Sequence, residues 1–181
     1  MVKFIKGDLV KQCNEFSVII HGCNCFHTMG AGIARTISDT WPGALEADKL
    51  SPYGSMEKLG DFTSLELENP TNKKRLKIIN AYTQHNWSRK TSTNYAPPVD
   101  YEAIQQVMES LKIRETGKEI GIPLIGAGLA GGNWDLILEI IKKELEDEDV
   151  TIIEFDENYS GKDYSKDYTE IISMEYVQRT Y

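Results

Sequence analysis

The chain has 181 residues, 28 acidic against 20 basic side chains and a formal net charge of −8. That length suits a single domain with a core between helices and a sheet, and the charge excludes long-range gathering of a polyanion, so an anionic ligand has to be held locally. No apolar run has the length of a membrane span and no basic-then-apolar leader is present, which disfavours insertion and secretion and predicts a cytoplasmic protein, expected to be a monomer.

Val2 to Lys6 alternates as an edge strand does, and Ser17 to His21 contains the continuous apolar run Val18-Ile19-Ile20 of a buried strand. From Gly32 the positions Ile33, Ala34, Ile37 and Trp41 recur at helical spacing until Pro42-Gly43, and a shorter helix follows over Ala44 to Leu50. Asp61 to Glu68 and Leu76 to Thr83 read as neighbouring strands across Asn69-Pro70-Thr71-Asn72. A polar loop from Gln84 to Pro98 leads to Asp100, which caps a helix with the stripe Ile104, Val107, Met108 and Leu111. Glu119 to Ile125 is a strand, with a bend or an unpaired position expected at Pro123. Trp134, Ile137, Leu138, Ile141 and Leu145 line a helix, and Val150 to Phe155 is another strand. Strands alternating with helices predict a largely parallel sheet with helices on both faces. The acidic, Tyr-rich tail from Glu157 to Tyr181 either adds a strand or stays mobile.

Two glycine turns stand out, Met29-Gly30-Ala31-Gly32-Ile33-Ala34 and Ile125-Gly126-Ala127-Gly128-Leu129-Ala130-Gly131-Gly132. Each follows an apolar run and opens into a helical pattern. Glycine lets backbone N–H groups approach an oxyanion closely, and the helix dipole assists, so two such turns suit a diphosphate. The second turn also satisfies the G-x-G-x-x-G pattern of a dinucleotide fold, with Glu154 and Asp156 near the ribose-binding distance. Too little chain follows the last strand for the further strand-helix units that fold needs, which disfavours a nicotinamide-dependent oxidoreductase. His21-Gly22-Cys23-Asn24-Cys25-Phe26-His27 holds four soft or borderline ligands, but period-two spacing does not gather four side chains on one ion, and no metal is expected. Cys13, Cys23 and Cys25 make a poor disulfide framework and fit reduced, buried thiols. Apart from Lys73-Lys74-Arg75 no basic cluster is present, which argues against a nucleic-acid groove.

Gly7-Asp8-Leu9-Val10, then Asn24 six positions before Gly30-Ala31-Gly32-Ile33-Ala34, then Asn80-Ala81-Tyr82-Thr83-Gln84, then Ile122-Pro123-Leu124-Ile125-Gly126-Ala127-Gly128 resemble the macro domain family in order and spacing. The resemblance covers residues 1–156, with 157–181 as a C-terminal extension packed on the domain or partly mobile. It implies a three-layer α/β/α sandwich around a mixed, largely parallel sheet, and an ADP-ribose derivative as ligand with its diphosphate between the two glycine loops. Nucleic acid would enter only as a modified substrate, and no cofactor is implied. Residue by residue, the resemblance implies that Asp8 accepts from the adenine amino group, Leu9 adds a backbone contact and Phe155 packs on the adenine. Asn24 grips the distal ribose, Gly30, Ala31, Gly32 and Ile33 form one phosphate loop, and Gly126, Ala127, Gly128, Leu129 and Ala130 form the other. Tyr82 is a further binding candidate. Each has a plainer reading too: Asp8 as a turn residue, Phe155 and Tyr82 as core.

Ile20-His21-Gly22-Cys23-Asn24-Cys25 before the first turn, with Trp41-Pro42 after its helix, most resembles the branch that hydrolyses ADP-ribose 1″-phosphate. In that branch a histidine at the position of His21 is implicated in catalysis. The branch that removes ADP-ribose from proteins through a lysine and an aspartate would need Lys at Gln84 and Asp at Ala130, and has neither here. The resulting expectation is a phosphatase without metal, in which Asn24 fixes the ribose and His21 or His27 transfers the proton. A de-ADP-ribosylating hydrolase and a non-catalytic ADP-ribose reader are the alternatives. His21 as a satisfied core residue and His27 as an exposed loop residue remain open.

Overall fold

The computed structural model describes residues 1–87 and 98–179. Among these residues seven strands form one sheet: β1 (Val2–Gly7), β2 (Val18–Cys23), β3 (Phe62–Glu68), β4 (Arg75–Tyr82), β5 (Glu119–Pro123), β6 (Asp149–Phe155) and β7 (Thr169–Val177), in the order β1-β6-β5-β2-β4-β3-β7. From β1 to β4 the neighbours run parallel, and β3 and β7 are antiparallel to their neighbours. Helices α1 (Gly32–Thr40) and α2 (Gly43–Asp48) cover one face, and α3 (Tyr101–Arg114) and α4 (Trp134–Glu144) the other. The expected three-layer α/β/α sandwich with a mixed, largely parallel sheet is what the chain builds.

Period-two alternation assigns the two core layers. In β2, Val18 and Ile20 pack with Ile104, Met108 and Ile137 on the α3/α4 side, while Ile19 packs with Ile37, Trp41 and Ala44 on the other. The stripe on α3 is buried at Ile104, Val107, Met108 and Leu111, and Asp100 caps that helix by accepting from Ala103 N at 2.9 Å. Pro123 is the last residue of β5, registered opposite Ile153, so the strand stops there and no interior strand position is disrupted.

Most of the polar loop expected from Gln84 to Pro98 lies outside the described residues; Gln84 makes an isolated bridge with Val99. The tail contributes β7, which pairs with β3 and covers an edge of the sheet. Tyr176 donates to Asp61 Oδ2 at 2.7 Å and the Arg179 amide to Asp61 Oδ1 at 2.9 Å, fastening the tail to the turn before β3. Among the described residues no helix is long and apolar enough to cross a membrane.

Candidate functional site

From β2 the chain crosses towards β4, whereas from β5 it crosses through α4 to β6 on the opposite side. The point between β2 and β5 is therefore where the crossovers diverge, and ligands of open α/β sheets bind outside the strand ends at such a point. Both glycine loops emerge there, one after Cys23 and one after Pro123, and they flank a cleft of about 810 Å³. That volume lies within the range of small-molecule sites. Gly30, Ala31, Gly32 and Ile33 line it from one side, and Gly126, Gly128, Leu129 and Ala130 from the other. The loops nearly meet, since a Cβ on Gly32 would sit 3.5 Å from Leu129 Cδ1.

The first loop runs straight into α1. Its N-cap is Ala31, in extended conformation with no side-chain acceptor, so the first amides of α1 lack the usual cap. A ligand oxyanion can take that role, with the helix dipole reinforcing it. The second loop differs from expectation. It does not open directly into a helix: α4 starts at Trp134, capped by Asn133, which accepts from Asp135 N at 3.0 Å. The intervening loop folds on itself through Ala127 N to Leu124 O at 3.1 Å, Gly131 N to Gly128 O at 3.0 Å and Gly132 N to Gly126 O at 2.8 Å. Ala127 closes one of these turns and does not line the cleft. The dinucleotide-fold reading fails here as well, because the strand after β6 is β7, which pairs antiparallel with β3 at the opposite edge, so no further parallel strand-helix unit follows among the described residues.

Asn24 lines the cleft but works first for its own loop. Its Oδ1 accepts from Phe26 N at 2.8 Å and its Nδ2 donates to Thr28 Oγ1 at 2.6 Å. With its oxygen accepting from Asn24, the exposed Thr28 hydroxyl can turn its own proton into the cleft. Sequence reasoning missed Thr28 as a lining residue, and also Gln84, Gly22, Cys23 and Trp87. The spacing of Asn24 and Thr28 across a tight loop is a signal that could have found the first.

His21 is not in the cleft. The ring is fully buried on the α2 side of β2, where Nε2 donates to Asn80 Oδ1 at 2.7 Å, and Asn80 Nδ2 donates in turn to Ala44 O at 2.9 Å. Nδ1 faces Cys23 Sγ at 3.7 Å. Burial pulls the His21 pKa down from 6.5 to about 4, so the ring is neutral near pH 7. The core-histidine reading fits this geometry, because strand alternation turns position 21 to the same face as Ile19. Burial likewise pushes the Cys23 thiol well up, which leaves it protonated and inert.

His27 has φ 54 and contacts Ser51 O through Nε2 at 2.9 Å, away from the cleft. Its pKa is lowered, chiefly by desolvation. Tyr82 is fully buried, with its hydroxyl donating to Asp48 Oδ1 at 2.6 Å and 2.8 Å from Ser51 Oγ, so it belongs to a buried polar cluster and not to the cleft wall. Lys58 enters the same cluster, donating to Ser51 Oγ at 2.9 Å. Burial raises the Asp48 and Tyr82 pKa values and lowers that of Lys58.

Asp8 follows the end of β1, where Gly7 is registered with Phe155 of β6, and neither Asp8 nor Phe155 lines the cleft. Asp8 Oδ1 accepts from Val10 N and Lys11 N, both at 3.0 Å, which makes it a turn former. Phe155 is 71% exposed, a value that rules out the core reading. Leu9 is buried in the core on the α1/α2 side and does not line the cleft.

A sandwich whose paired glycine loops meet at the divergence of two crossovers, one loop an uncapped helix N-terminus, defines an anion-binding α/β domain. No family model matches the chain. It is 36% identical over 163 residues to an uncharacterized 17.5 kDa protein of Enterobacteria phage T4, covering 86% of this chain and 97% of that one. It is 28% identical over 167 residues to an ADP-ribose 1″-phosphate phosphatase of Debaryomyces hansenii, covering 79% and 93%. The macrodomain of Mycobacterium tuberculosis DarG superposes with a TM-score of 0.64 at 21% identity, covering 86% and 97%. The chain has the macrodomain fold.

Proposed function

We propose that the cleft binds ADP-ribose and that the chain hydrolyses the terminal phosphate of ADP-ribose 1″-phosphate. The observation that carries the binding half is the uncapped N-terminus of α1 facing the second glycine loop across the cleft. Backbone dipoles there hold the diphosphate, adenine lies towards Asp8 and Phe155, and the distal ribose lies towards Asn24 and Thr28. The name of the Debaryomyces relative supports the phosphatase half.

Catalysis on this reading comes from positioning. Amides and the Thr28 hydroxyl fixed around a phosphoryl group stabilise charge as it develops, and they need no reorganisation during reaction. Asn24 orients Thr28, and its second Oδ1 lone pair is open to a ribose hydroxyl. His21 acts beneath the site as a post that holds the end of β2 through Asn80.

Calorimetry with ADP-ribose and release of inorganic phosphate from ADP-ribose 1″-phosphate test the two halves separately. Binding with turnover is the expected result. Binding without turnover, beside release of ADP-ribose from a mono-ADP-ribosylated protein, replaces the phosphatase with a de-ADP-ribosylating hydrolase. Absence of binding removes the reading altogether.

A further inference from the structure

At the β4 end of the cleft, beyond Asn24 and Thr28, Trp87 belongs to the lining and packs edge-on against Phe26 behind it. Phe26 sits at the centre of three edge-on contacts, to Tyr53 at 5.6 Å, His85 at 5.0 Å and Trp87 at 5.6 Å. Such perpendicular packing is the favoured geometry for aromatic pairs. The cluster is braced by backbone bonds: Cys25 N donates to His85 O at 3.0 Å, Gly54 N to Cys25 O at 2.7 Å, and His85 Nε2 to Gly54 O at 3.0 Å. Despite this bracing, Trp87 is 57% exposed and lines the cleft. An indole packed edge-on against Phe26 and more than half exposed in the lining of a ligand cleft offers a ring face to something carried by the ligand.

The order of the strands says what that something is attached to. Asp8 and Phe155 lie at β1 and β6, the glycine loops at β5 and β2, and Asn24, Thr28, Gln84 and Trp87 between β2 and the chain after β4. On the reading of the cleft as an ADP-ribose site, a ligand laid along this line brings the far carbon of its distal ribose to Trp87. We infer that Trp87 forms a subsite for a planar heteroaromatic ring on that carbon, so that the cleft accepts a nicotinamide dinucleotide with its ring against the indole. A pyridinium ring gains both stacking and cation–π attraction from an indole face.

The test is calorimetry of the full chain with ADP-ribose and with NAD⁺, for the wild type, Trp87→Ala and Trp87→Phe. Trp87→Ala is expected to weaken NAD⁺ about tenfold more than ADP-ribose, and Trp87→Phe to restore most of that difference because it keeps a ring face. NAD⁺ should also quench tryptophan emission in the wild type, with the quench reduced in Trp87→Phe although Trp41 and Trp134 remain. Equal losses for the two ligands, or exclusion of NAD⁺ from a wild-type protein that binds ADP-ribose, overturn the subsite. A wild type that binds neither ligand overturns the ADP-ribose reading as well.

Discussion

The two glycine loops have nearly the same composition and face the same cleft, yet their glycines do different work. In the first loop a Cβ on Gly30 would meet nothing within 4 Å, and the loop ends as the bare N-terminus of α1. The second loop divides internally. Gly126, at φ +72, lies against the core, where a Cβ would come 2.9 Å from Val99 Cγ2, 3.1 Å from Ile104 Cδ1 and 3.2 Å from Ile137 Cδ1. Two residues on, a Cβ on Gly128 would meet none of the described residues within 4 Å, and its φ is not positive. Glycine is thus required by the fold at position 126, while at positions 30 and 128 the described residues leave room for a side chain.

That contrast breaks or sharpens with substitutions. Gly126→Ala should cost about 3 kcal/mol of unfolding free energy, from a left-handed backbone together with overpacking, whereas Gly128→Ala should stay within about 0.5 kcal/mol. Urea denaturation of the pair decides it, and similar losses would erase the division within the loop. Gly128→Val should keep the circular dichroism spectrum of the wild type and lose at least about a hundredfold in ADP-ribose affinity, roughly 2.7 kcal/mol. Retained affinity in that folded variant would put the diphosphate elsewhere.

Beneath the first loop, His21 should make stability depend on pH. Its folded pKa of about 4 lies below the ordinary 6.5, so its contribution is complete above pH 6.5 and is lost as the pH falls towards 4. The loss across that window is on the order of 3 kcal/mol. His21→Gln should flatten the window in denaturation curves taken from pH 7 to pH 4. An unchanged slope would mean that the ring is hydrated.

A substitution at Ala31 probes the first loop with opposite signs. Ala31→Asp supplies the missing cap and should stabilise the fold by about 1 kcal/mol, while its carboxylate competes for the amides and weakens ADP-ribose at least about tenfold. Tighter binding in the more stable variant would show that α1 does not hold the anion. The smallest expected effect lies at the far end. Asp8→Asn keeps the oxygen that accepts from Val10 and Lys11 but turns a second acceptor into a donor, and should cost about 1 kcal/mol of ADP-ribose affinity with stability unchanged. An equal loss of stability would leave Asp8 as a turn former only.

Much of this was legible in one dimension. Alternation and helical spacing are local, so Val18-Ile19-Ile20, the stripe on α3, the cap at Asp100 and the antiparallel pair β3 and β4 could be read directly. The two glycine turns were also visible as anion cradles about ninety residues apart. Their encounter could be expected only through the family resemblance, because the pairing of β2 with β5 joins strands with most of the chain between them. Local pattern carries no record of such a partner.

The site residues divide in the same way. Sequence by itself determined which positions can bend without a side chain and which residue types can donate or accept. Tertiary structure decided which way each one faces. Strand alternation turned His21 into the core beside Asn80, and a buried cluster claimed the Tyr82 hydroxyl. Three segments distant in sequence brought Tyr53 and Trp87 against Phe26, and of these Trp87 lines the cleft. Burial and hydrogen bonding depend on neighbours that only the folded chain supplies, and these decide whether a polar side chain serves the fold or the ligand.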